Sequence, residues 1–172
     1  MAGNNGPLRA VLSVTTEFSE LYEQFAGRVL AYARRHASRD DAEDVVAETF
    51  HVAWRRRDVV PDEPLPWLIG VAHNVLRAQW RAARRSTPAD TLERLADVAG
   101  DSVEVGVLRR RELVELLATL PDHEREALLL VAWDDLTAEQ AGLVLGCSAG
   151  AIRVRIHRAR KRIQAVKEAL DA

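Results

Sequence analysis

LTAEQAGLVLGCSAGAIRVRIHRARKR, residues 136–162, decides the fold. The stretch predicts two short helices joined by a tight turn. Thr137 with Gln140 three residues later is a capping box, in which hydroxyl and amide satisfy orphan N–H groups at a helix start. Gly146 ends that helix, because a residue without Cβ takes the left-handed conformation at no steric cost, and Ser148 caps the next. In the second helix Ile152, Ile156, Ala159, Ile163, Val166 and Leu170 recur at spacings of three and four, which makes one face apolar. The rest of its first half carries Arg153, Arg155, His157, Arg158, Arg160, Lys161 and Arg162, with no acid among them. A basic amphipathic helix alone is more often a solvated face or a helix packed on a partner. Behind this cap-to-cap turn it has the arrangement that lays a helix in the DNA major groove.

The whole chain narrows that reading. Its 172 residues suit one ordinary domain or two small ones. No apolar run approaches the roughly 20 residues a bilayer needs, and no secretory leader precedes Phe18. The single cysteine, Cys147, excludes an internal disulfide and a cysteine-rich zinc site. A cytoplasmic protein without metal, cofactor or membrane insertion is expected. The net charge of −2 is not that of a protein that coats nucleic acid unaided. Positive charge gathers instead at Arg77–Arg85 and Arg153–Arg162, as it would in a molecule that touches DNA twice while a partner supplies most of the affinity. Lys161 and Lys167 are the only lysines beside many arginines, which points to a GC-rich genome.

Toward the N-terminus, residues 1–15 lack helical periodicity and read as a disordered tail. Leu21, Phe25, Val29 and Tyr32 mark a first helix. Asp40 with Glu43 signals the cap of a second, in which Val46, Phe50 and Trp54 form the buried stripe. On that helix Asp44 and Glu48 stand four apart, a like-charged pair that costs a few tenths of a kcal/mol unless a basic surface relieves it. Three prolines between Asp58 and Pro66 require a loop. From Trp67 a long helix sets Leu68, Val71, Ala72, Val75 and Leu76 on one side. Gly70, Asn74, Arg77, Arg81, Arg84 and Arg85 stand on the other. Guanidiniums hold phosphates, while amides and aromatics read or stack on bases. Residues 87–106 read as a flexible acidic linker with a short helix at Thr91–Ala96. Leu113, Leu116, Leu117 and Leu120 restart helix, and Pro121-Asp122 breaks it and caps another. The expected fold is all-α: two small helical domains on a linker, the second with the helix–turn–helix.

With these pieces in order the chain resembles the bacterial extracytoplasmic-function sigma factors, and an actinobacterial source would fit its composition. DAEDVVAETFHVAW at 41–54 resembles the helix that holds the core RNA polymerase clamp. PWLIGVAHNVLRAQWRAARR at 66–85 resembles the helix that binds the promoter −10 element. LPDHEREALLLVAWDDLTAEQAGLVLGCSAGAIRVRIHRARKRI at 120–163 resembles the −35 reader. The resemblance implies a region 2 domain at 16–86 and a region 4 domain at 107–172. It implies polymerase docking through Asp44, Glu48, Thr49 and Phe50, and −10 contacts from Trp67, His73, Asn74, Arg77, Arg81, Arg84 and Arg85. For the −35 element it implies Ser148, Ala149, Gly150, Ala151, Arg153, Val154, Arg155, His157 and Arg158. Its partners would be the β and β′ subunits of core polymerase, promoter DNA and an anti-sigma factor. The sequence departs from the family at Ala78, where Asp is common, and at Ala151 and Val154, where polar residues are usual. Base reading would then fall to Arg153, Arg155 and His157, or to DNA shape. Gly142 also departs, at an expected cost of up to about 1 kcal/mol against Ala. Two rival readings are an operator-binding dimeric regulator and a helical interaction protein. No nucleophile–base pair, metal set or phosphate loop favours an enzyme.

Overall fold

A computed structural model describes residues 6–83 and 107–170. Their regular elements are seven α-helices and one 3-10 turn at Arg57–Val59, with no strand among the described residues. In chain order they are α1 (Gly6–Arg34), α2 (Arg39–Arg55), α3 (Pro64–Ala83), α4 (Val107–Ala118), α5 (Asp122–Ala132), α6 (Ala138–Leu145) and α7 (Ala149–Leu170). The acidic linker and its short helix fall outside the described residues, as do Arg84 and Arg85.

Several expectations need correction: Trp54, expected in the buried stripe of α2, is exposed, and the helix expected from Trp67 already begins at Pro64. The tail predicted over residues 1–15 is helical from Gly6 onward. Pro7 sits in the first turn, where a missing N–H breaks no bond, and no Pro or Gly interrupts the chain from there to Gly27. The cap of α2 is Ser38 rather than Asp40: its Oγ accepts from Asp41 N at 3.3 Å and donates to the Asp41 carboxylate at 2.6 Å. In α4 the buried residues are Val114 and Leu117, with Leu120 just after it, while Leu113 is exposed. Of the four leucines expected there, Leu117 and Leu120 are buried, and Val114 takes the place of Leu113.

Helices α1–α3 form one unit and α4–α7 another, but the two share a core. Val29, Val45, Leu68, Ile69 and Leu76 of the first join Leu130, Leu136, Val144 and Ile152 of the second in one buried apolar cluster. A smaller cluster of Val114, Leu117, Leu120, Leu129 and Ala159 lies wholly within the second unit. The junction also buries charge. Arg35 donates to both carboxylate oxygens of Asp134, at 3.1 Å to Oδ1 and closer still to Oδ2. Arg28 donates to Asp134 O at 2.9 Å, and Asp135, at φ 57°, turns the chain so that its neighbour points inward. Beside this pair His36 meets Glu126 at 3.2 Å, and Tyr32 Oη lies 3.0 Å from His73 Nδ1. Burial would push Glu126 up, yet the charge and hydrogen bond of His36, then Arg35 and His73, hold its carboxyl at about 2. Asp134 moves the other way, because burial raises its carboxyl more than Arg35 lowers it.

Candidate nucleic-acid interface

The helix–turn–helix forms as its caps require. Thr137 Oγ1 accepts from Gln140 N at 3.2 Å, and Gln140 Oε1 accepts from Thr137 N at 2.8 Å. Gly146 takes φ 65°, and Ser148 Oγ accepts from Ala151 N at 3.1 Å. The turn folds back on α6, so that Cys147 N donates to Gly142 O at 2.9 Å. A Cβ on Gly142 would lie 2.6 Å from Cys147 O. The expected propensity cost is therefore beside the point: only glycine lets the turn come this close.

Ile152, Ile156 and Ala159 are buried and fix the rotation of α7. At 100° per residue, Gly150, Val154, His157 and Lys161 form a line on the opposite side, all exposed. Arg153 and Arg158 flank that line, Arg155 is half-buried beside the buried stripe, and Ala149 and Ala151 are half-buried near the start. Arg153 donates to Glu139 of α6, a charge-assisted contact within the motif. Bonding from its own backbone, then from Arg153, holds the Glu139 carboxyl below the usual range. Farther along, Arg162 donates to the buried Glu124 at 3.0 Å, which ties the helix to α5.

On α3 the buried Leu68, Ala72 and Leu76 turn Asn74, Arg77 and Arg81 to solvent. None of these three has an ion-pair or hydrogen-bond partner among the described residues, and Trp67 is half-buried at the edge of their face. His73, one turn before Arg77, is half-buried. Its ring turns into the junction against Tyr32, and burial lowers its pKa.

Asp44 and Glu48 are exposed on α2, but Thr49 and Phe50 beside them are buried. Thr49 Oγ1 donates to Val45 O at 2.7 Å, and Phe50 stacks edge-on with Tyr22 at 4.8 Å. These two hold the helix in place from inside, leaving the acids as its outward groups. Between α2 and α3 runs a groove of about 910 Å³ lined by Asp44, Glu48, His51, Arg56, Asn74 and Gln79, among others. Sequence reasoning had passed over Arg56, which belongs to the run Arg55–Arg57 closing α2. A triple arginine directly before a loop was the available signal. No group of His, Cys, Asp and Glu suited to a metal occurs among the described residues, and no helix there is long and apolar enough to cross a membrane.

Both units match known families. Residues 21–86 match the family described as Sigma-70 region 2, and residues 110–163 match Sigma-70, region 4. The chain is 35% identical over 170 residues to the ECF RNA polymerase sigma factor SigD of Mycobacterium tuberculosis, covering 95% of this chain and 78% of that protein. It is 31% identical over 129 residues to the ECF RNA polymerase sigma factor EcfG of Rhodopseudomonas palustris, covering 74% and 71%. Among solved structures it is similar to the sigma factor RpoE of Bartonella quintana in complex with the anti-sigma factor NepR. There the TM-score is 0.64 at 25% identity, covering 88% of this chain and 97% of that one.

Proposed function

The chain belongs to the extracytoplasmic-function sigma factors of the sigma-70 family, subunits that direct RNA polymerase to promoters, and from that premise we propose how its surfaces divide the work. Asp44 and Glu48 meet a basic surface of core polymerase, which relieves their mutual repulsion. Asn74 reads a −10 base displaced into the groove between α2 and α3, while Arg77 and Arg81 hold the adjoining phosphates, and Arg84 and Arg85, outside the described residues, are assigned to the same backbone. The exposed line of α7 enters the −35 major groove. The first unit covers residues 16–86 and the second 107–172, the linker lying between. An anti-sigma protein is a further partner, as it is for the Bartonella sigma factor. The protein acts in the cytoplasm, on the nucleoid, and catalyses no reaction of its own.

The observation that carries this reading is the contrast of exposed charge on neighbouring helices. Two acids on α2 stand across a groove from an amide on α3, and two arginines follow on that helix, all four charged groups without an ion-pair partner among the described residues. The test is in vitro transcription with core polymerase on a genomic template library. Asp44→Arg with Glu48→Arg should weaken core binding, leave thermal stability unchanged and abolish transcription. Equal core affinity across a salt titration would remove the acids from the polymerase interface. A footprint by the isolated protein on an operator, with no dependence on core polymerase, would favour a simple regulator.

A further inference from the structure

The recognition line carries little that can form a hydrogen bond in its first part, before His157. Gly150 has no side chain, and a Cβ there would find only Ser148 Oγ, at 3.8 Å. The backbone of the first turn can therefore approach the floor of a groove closely. One turn later Val154 stands on the same line, 49% exposed, with two methyl groups as its outermost atoms. Arg153, the residue before it, donates to Glu139. A short apolar side chain pressed on a base edge penalises any edge that presents a bare donor or acceptor, since it desolvates that group without replacing its bond. Only thymine offers the major groove a methyl group.

We propose that Val154 is a specificity-determining residue that reads a thymine of the −35 element through its C5-methyl group. This rests on the placement of α7 in the −35 groove and names what its central residue selects.

Deoxyuridine, which is thymidine without the C5-methyl, isolates the contact. Holoenzyme made from the full chain and core polymerase is footprinted on a promoter it transcribes. Each thymine of the protected −35 segment, on either strand, is then replaced in turn by deoxyuridine. At one position the replacement should weaken promoter binding about fourfold, the factor for one methyl group removed from water. Val154→Ala should bind thymine and deoxyuridine templates alike, at the weaker level, whereas Val154→Ile should keep the discrimination. Insensitivity at every protected thymine, or a penalty that survives in Val154→Ala, would overturn the inference while leaving the −35 placement intact. Absence of any −35 protection would overturn the placement and the inference together.

Discussion

Arginine serves two opposite ends in this molecule. At the junction Arg35 is buried and holds Asp134 across 99 residues of chain. On α3, Arg77 and Arg81 stand in water with no ion-pair partner among the described residues. A buried guanidinium must be paired, because the cost of desolvation is large and removing one partner leaves the other charge uncompensated. A solvated guanidinium costs almost nothing to keep and remains available to phosphate. The environment, more than the residue type, separates structural arginines from functional ones.

The sharpest way to break this contrast is to remove the buried guanidinium. Arg35→Ala should cost about 3–5 kcal/mol in urea denaturation, because Asp134 is left buried without its partner. The double change Arg35→Met, Asp134→Leu should cost less than that single one. A smaller effect comes from acid. Glu126 sits at about 2 in the folded protein, below its ordinary value of 4.5. Its folded-state pKa is depressed, so its contribution is complete above about pH 4.5 and is lost as pH falls toward 2. That contribution is on the order of 3 kcal/mol. Glu126→Gln should flatten the loss over that window in denaturation curves taken at successive pH values.

Gly142→Ala should come next, at about 1–3 kcal/mol, since its Cβ meets a backbone oxygen that cannot step aside. A rise in melting temperature, as helix propensity alone would give, would show that the turn is slack. The smallest stability effect belongs to the open face. Arg81→Ala should stay within about 0.5 kcal/mol of the parent while lowering the magnitude of the promoter-binding salt slope by about 1. Asn74→Ala should leave that slope alone and flatten the ranking of −10 variants instead.

The helix–turn–helix could be read from residues because its determinants are local: Thr137 with Gln140, Gly146 and Ser148 each act within four positions. The outward side of α3 was legible for the same reason, since a period of 3.6 separates Leu68, Ala72 and Leu76 from Asn74, Arg77 and Arg81. What could not be read was the docking of one unit on the other. Arg35, His36 and Tyr32 resemble any last turn of a helix suited to its dipole, and Asp134 resembles any residue of a turn. Their pairing depends on contacts across about 100 residues, on which no local period reports. The resemblance that implies DNA contact from His73 and polymerase contact from Thr49 and Phe50 carries no information on burial, and the structure sets His73 against Tyr32 and buries Thr49 and Phe50. Gly142 looked like a defect because the residue it makes room for follows the next turn of chain.

The junction also has a place in time. Ribosomes extend a chain by about 5–20 residues each second, and domains generally fold as they emerge. Tyr32, Arg35 and Ile69 are made well before α5 and α6, and Asp134 follows Arg35 by 99 residues. For roughly 5–20 s the nascent first unit therefore presents an apolar face and an unanswered guanidinium to the cytosol. During that interval the chain is open to whatever else can cover the face, and its own second half arrives as one competitor among others.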